Sequence, residues 1–240
     1  MNGRILPERF HCISGSALKV LAAVTMLIDH IAASLLMKNP IPLFSLFGKQ
    51  FTLYFLMRLI GRLAFPIYAF LIVEGFRHTS SRLSYGVNLL SFALISEIPW
   101  DLNHFSTFWR ISSQNVFFTL FLGFAAIWAY EGLREKRVLQ VLTILAVLIT
   151  SLFLHADYGI TGVSFILLMY ALREHELLRD AVGMGVLSTT WQAGLAFLPI
   201  AFYNGKRGFI KGPVWKYAFY LFYPAHLLVL YFIKLRLKLF

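Results

Sequence analysis

LKVLAAVTMLIDHIAASLLM, residues 18–37, is long and apolar enough to cross a bilayer, yet Asp29 and His30 stand in its middle. A spanning helix needs about 20 predominantly apolar residues. An acid at the centre of such a helix costs about 2.5–3.5 kcal/mol on insertion scales, so it is expected to face a bundle interior or a wet cavity. Lys19 precedes His30 by eleven residues. At 100° per residue the two return to nearly one face, about 16 Å apart along the axis. One helix face therefore carries a cation near its start and an imidazole deeper in.

The rest of the chain has the same character. Hydrophobic residues make up 59% and charged residues 14% of its 240 residues, with a mean hydropathy of +0.71. A soluble domain carries about a quarter charged residues. The pattern predicts an all-α polytopic integral membrane helical bundle, one domain over 1–240. Eight spans are read: Leu18–Met37, Phe51–Val73, Leu83–Ile98, Val116–Tyr130, Val138–Leu154, Gly159–Leu172, Ala181–Tyr203 and Tyr217–Ile233. Asp29-His30 interrupts the first, and no small-residue cleavage site follows, so it is read as a span and not as a signal peptide. With both termini inside, thirteen Lys and Arg, Arg4 among them, fall on inner segments and seven on outer ones. The positive-inside rule then predicts N-in and C-in. Four of the seven outer cations lie between Asn204 and Lys216, which runs against that assignment. The net charge of +11 is accounted for by topology and anionic lipid, with no nucleic acid implied. A single cysteine, Cys12, excludes an intrachain disulfide.

Polar groups inside apolar segments are candidates for function and normally pair with one another. Arg58 and Arg62 share a helix face and suit either a carboxylate such as Asp29 or an anionic ligand; snorkelling and structural pairing are the alternatives. Glu74 reads as a helix-end partner of Arg77 or His78. Pro99 is expected to break the helix there, so that Glu97 and Asp101 either converge on a re-entrant turn, where two acids can bind a cation, accept an amine or relay protons, or mark a helix terminus with interfacial Trp100 as its anchor. Asp157 lies in a short outer turn, as a helix N-cap or a group reaching the bundle. Asn204-Gly205-Lys206-Arg207-Gly208 combines two glycines with two cations, a composition that suits phosphate or carboxylate. His226, in Tyr223-Pro224-Ala225-His226, is either a packing hydrogen bonder or a second imidazole at a site. No HExxH, CxxC pair, P-loop or GxSxG is present, so zinc, nucleoside triphosphate and serine-elbow chemistries are not expected.

Lys19 to His30, then Gly61-Arg62-Leu63-Ala64-Phe65-Pro66, Val73-Glu74-Gly75-Phe76-Arg77-His78, Ser96-Glu97-Ile98-Pro99-Trp100-Asp101, Asn115-Val116-Phe117, Asp157-Tyr158-Gly159, Asn204 to Gly208 and Tyr223-Pro224-Ala225-His226 together resemble the bacterial TraX family, in order and over nearly the whole chain. That resemblance implies a multi-pass protein of the bacterial inner (cytoplasmic) membrane. The family's founding member is associated with acetylation of conjugative pilin, and the family resembles the wider group of transmembrane acyltransferases. In that group a basic residue, ten residues and a histidine mark the first helix, as Lys19 and His30 do here.

The implied activity is O- or N-acyl transfer from acetyl-CoA, or another acyl-CoA, with no metal, to a glycan, lipid or pilin-like acceptor at the bilayer. In this reading His30 is the base and Asp29 pairs with a cation such as Arg62. Glu97 or Asp101 orients His30. Lys19, Arg62, Asn204, Lys206 and Arg207 hold the CoA. Glu74, Asn115, Asp157, Tyr158, Tyr223 and His226 support the substrate. Two other classes fit the same residues: a proton-coupled transporter with Asp29, Glu97 and Asp157 as its relay, and a non-catalytic pilus or envelope assembly factor.

Overall fold

The computed structural model describes residues 7–239; Arg4, counted above with the inner cations, lies outside them. Helices account for most of these residues. The first, α1 (Gly15–Ile31), starts where Ser14 Oγ accepts the Ala17 amide. It runs into a π-helical turn, Ala32–Leu36, immediately after Asp29 and His30. Single wide turns of this kind tend to sit at functional sites. A short hairpin, β1 (Pro42–Leu46) with β2 (Lys49–Thr52), follows. The expected second span is two helices, α2 (Leu53–Gly61) and α3 (Ala64–His78). The break falls at 62–63, because Pro66 cannot donate into an α-helix and fits only in the first turn of a new one.

Next come α4 (Arg82–Phe105), α5 (Val116–Gly132), α6 (Arg137–Phe153) and α7 (Gly159–Ala171). Pro99 does not end α4, which continues through it to Phe105. Then α8 (Glu176–Val186), a 3-10 stretch (Ser188–Ala196), α9 (Phe197–Ala201) and α10 (Pro213–Leu237) complete the chain. The described residues include three helices long and apolar enough to cross a membrane, Gly15–Leu36, Leu53–His78 and Pro213–Leu237, and several shorter apolar ones. The main core cluster is built around residues such as Leu18, Ile67, Phe76, Phe124, Phe165 and Leu227, with a smaller one at Leu122, Ala126 and Val163.

The start of α1 and the end of α10 lie at opposite ends of the bundle. Lys19 Nζ lies 5.6 Å from the Phe219 ring, His30 meets His226, and beyond them Ser34 bonds Asn103 while Lys234 donates to the Asn103 carbonyl at 2.8 Å. So α1 and α10 run parallel. The cause is the segment Ala181–Tyr203, expected as one span, which folds back on itself. It leaves from beside Arg77, where Glu174 sits 4.0 Å away, and returns to the same end, where the Tyr203 hydroxyl donates to Glu74 at 2.9 Å. Glycines 183, 185 and 194 and Pro199 keep it from forming one long helix. It folds back as α8, the 3-10 stretch and α9. The loop Asn204–Lys216 therefore joins the end that holds the start of α1.

That loop is built into α1. The carbonyls of Lys206 and Arg207 accept the amides of Gly15 and Ser16 at 2.9 and 2.8 Å, and Ser16 Oγ donates to the Arg207 carbonyl at 2.7 Å. These are amides that a helix start leaves without internal partners. Gly208, at φ +88° with Ser14 and Ser16 where a side chain would be, is a position only glycine fits.

Candidate active site

His30 is buried among aromatic rings from two other helices: Trp100 and His104 of α4, and Tyr223 and His226 of α10. Its Nδ1 is 2.6 Å from His226 Nε2, with ring planes within 12°, so the contact is an in-plane hydrogen bond. The other nitrogen of His226, Nδ1, lies 2.6 Å from the Phe222 carbonyl. A carbonyl only accepts, so in the neutral pair the proton is on His226 Nδ1, and its Nε2 holds a lone pair. His30 Nδ1 must then donate. The network thereby fixes the tautomer of His30 that leaves Nε2 unprotonated, a base in waiting.

The orienting group is thus an imidazole, not the expected carboxylate of Glu97 or Asp101. Both acids are fully buried but turn toward the 106–115 loop. Glu97 accepts from the Asn115 side chain and lies 3.4 Å from its amide, while Asp101 accepts the Arg110 amide at 2.6 Å. Because α4 passes straight through Pro99, the residues facing His30 are Trp100 and His104, one turn apart. His104 was missed, although its spacing of four from Trp100 is the signal that finds it once Pro99 is allowed inside the helix. Asn115 caps α5, accepting the Phe117 amide at 3.0 Å, and so supports the fold.

Asp29 turns away from His30, as the 100° between neighbours requires. It pairs with Arg58, not Arg62, and lies where the side chain of Gly61 would be. Arg62 acts electrostatically on Asp29 and on Asp157; it stands with them rather than with the cations expected to hold CoA. Asp157 does not cap α7, whose N-cap position is Tyr158. Tyr158 stacks on Phe65, ring centres 3.7 Å apart. Glu74 holds Arg77 at 3.0 Å and His78 at 3.5 Å as well as Tyr203, tying α3 to the 204–208 loop.

A cavity of about 630 Å³ opens at the α1 start. Its mouth carries Lys19, Arg207 and Lys216 beside Thr79, Ser80 and Ser81; its depth is lined by Leu71, Leu89 and Leu120 and reaches Met26, Val116 and Tyr223. His30 does not itself line the cavity; it stands directly behind the wall, one turn after Met26 and with its ring centre 5.8 Å from that of Tyr223. Lys19 and Arg207 repel one another, and neither forms an ion pair among the described residues. Lys206 is exposed and gives its carbonyl to α1, not its ammonium to the cavity. The Asn204 side chain accepts the Lys206 amide at 2.9 Å and shapes the turn. Lys19 and His30 both lie on regular α-helix, so their separation of eleven residues places the imidazole about 16 Å below the cation.

The model of the family described as "TraX protein" matches residues 14–234. This chain belongs to the TraX family. The match takes in Lys19, His30, the 204–208 loop and His226. A Dichelobacter nodosus protein described as "Probable fimbrial assembly protein FimC, serogroup H1" is 31% identical over a 258-residue alignment, which covers 94% of this chain and 97% of the other. No solved structure matches this member of the TraX family.

Proposed function

We propose that this TraX protein is an integral membrane acyltransferase that moves an acetyl or other acyl group from CoA to a hydroxyl or amine. One observation carries the reading: a single cavity joins a cationic mouth to an apolar depth beside an imidazole whose Nε2 is free. CoA thioesters match it in parts. Phosphates belong with Lys19, Arg207 and Lys216. The pantetheine arm, extended, spans a distance comparable to the 16 Å between Lys19 and His30. At the bottom, His30 Nε2 takes the proton of the incoming nucleophile, and His226 holds the ring. The lysine keeps the charge of the motif without arginine's two-pronged grip, so it acts here as a point charge.

The same geometry supports seven crossings of the bacterial inner membrane, N-in and C-out. Moving the 204–216 loop inside and the C-terminal cations outside gives fourteen inner and six outer Lys and Arg, with Arg58 and Arg62 in the bundle. That is a stronger inner bias than the eight-span assignment gives. It also puts the cavity mouth on the cytoplasmic side, where acyl-CoA is made.

The test is binding and turnover of acetyl-CoA by the purified protein in detergent, with hydroxylamine as a surrogate acceptor and His30→Ala alongside. Specific CoA binding with thioester turnover lost in His30→Ala supports the reading. Absence of CoA binding sinks it. The name of the Dichelobacter protein favours a second reading, assembly of fimbriae without catalysis. In that case fimbriation would survive His30→Ala.

A further inference from the structure

On the reading just given, an acyl-transfer site needs a donor aimed at the oxygen on which negative charge grows, and none of the roles assigned so far supplies it. We infer that the Tyr223 hydroxyl is that donor. Tyr223 is 2% exposed, and its Oη makes no hydrogen bond among the described residues. A buried phenol without a partner forfeits about 1–3 kcal/mol, so its place on the cavity wall calls for an occupant. That occupant must offer an acceptor oxygen within reach of both Tyr223 and His30, whose rings lie 5.8 Å apart. Val116 lines the same end of the cavity. Its amide, the first of the 17-residue α5, faces the phenol oxygen as a donor, which leaves the phenol O–H without an acceptor. An amide at a helix start polarises the O–H toward the cavity. Trp100 Nε1 is a second unpartnered donor near His30; like His30 it stands behind the cavity wall, whereas Tyr223 is part of the wall.

The step is as follows. The nucleophile attacks the thioester carbonyl carbon as its proton passes to His30 Nε2. The carbonyl electron pair moves to oxygen, and the resulting oxyanion accepts the Tyr223 O–H hydrogen bond without taking the proton. When the C=O bond re-forms, the C–S bond breaks, and the leaving thiolate takes the proton from His30. The enzyme returns to its starting state, and free CoA and the acylated acceptor are released.

Tyr223→Phe tests this with acetyl-CoA and hydroxylamine. The expected result is a fall in kcat of roughly 100- to 1,000-fold, with KM for acetyl-CoA and affinity for CoA within about twofold of the unmutated protein. An unchanged kcat overturns the assignment while leaving acyl transfer standing, as does a rise in KM alone, which would mark Tyr223 as a packing residue. Val116→Pro is the second variant. It removes the amide at a helix position where proline is well tolerated, and Asn115, with ψ of 163°, already has the extended backbone a following proline requires. It is expected to lower kcat several-fold. If Tyr223→Phe does not fold, normal kcat in Val116→Pro overturns the assignment. No turnover by the unmutated protein removes the acyl-transfer reading itself, and this assignment with it.

Discussion

His30 Nδ1 donates to His226 Nε2 across 2.6 Å, and this bond joins the two helices that run parallel through the bundle, α1 and α10. A histidine orienting a histidine differs from the carboxylate arrangement in one respect. Imidazole is neutral, so it fixes the tautomer of the base without stabilising its protonated form as strongly as a carboxylate would. Directional control, supplied by the Phe222 carbonyl behind His226, is the larger part of the effect.

His30→Ala should therefore lower kcat by about 100- to 10,000-fold, the range for removal of a general base. His226→Leu removes only the orienting acceptor and should lower kcat by about 10- to 100-fold. His226→Gln, whose side-chain carbonyl can accept from His30 Nδ1, should recover part of that loss. Acetyl-CoA turnover with hydroxylamine measures all three. Equal kcat in His226→Leu and the unmutated protein would remove the orienting role.

At the cavity mouth the charges are expected to act on affinity. Lys19→Met and Arg207→Met should each weaken acetyl-CoA binding by about tenfold, near 1.4 kcal/mol, and leave kcat within about threefold. Lys206→Met, whose side chain is exposed and off the cavity, should change neither. Titration calorimetry in detergent separates these, and an effect of Lys206→Met as large as that of Arg207→Met would contradict the assignment.

The helices and the Lys19–His30 motif could be read directly because both rest on local periodicity. The 3.6-residue repeat that puts Lys19 above His30 also separates Asp29 from it. Pairings between helices were not legible in the same way. Nothing local distinguishes Arg58 from Arg62 as the partner of Asp29; that depends on how closely α2 approaches α1, which Gly61 permits. Glu97 and Asp101 attracted attention as acids, and Pro99 was expected to break their helix. In the fold α4 continues, and both acids face a loop. The Ala181–Tyr203 segment has enough apolar length to cross, but its glycines and Pro199 favour folding back. With that fold-back, the cationic Asn204–Lys216 loop lies against the start of α1.

Gly61→Ala should destabilise the protein. A β-carbon there would lie 2.1 Å from Asp29 Oδ1, so either α2 moves away from α1 or the Asp29–Arg58 pair opens. Overpacking of this kind costs about 1–3 kcal/mol. Gly61→Ala and Asp29→Ala share one contact and should combine less than additively. Thermal unfolding in detergent of the two single variants and the double variant measures the coupling, and strict additivity would show that the contact is absent.

The proposed topology has the most direct physical test, because the parallel run of α1 and α10 puts the starts of both helices on one side and their ends on the other. Cys12 is the one native cysteine, and it is exposed near the start of α1. In intact cells a membrane-impermeant maleimide should leave Cys12 unlabelled. With Cys12→Ser as background, Lys211→Cys should stay unlabelled too and Lys238→Cys should react. After permeabilisation all three should react. Had the eight-span pattern held, Lys211→Cys would label from outside and Lys238→Cys would not. That inverted result would mean that 181–203 crosses the bilayer after all, and it would take Arg207 away from the cytoplasmic acyl-CoA on which the proposed chemistry depends.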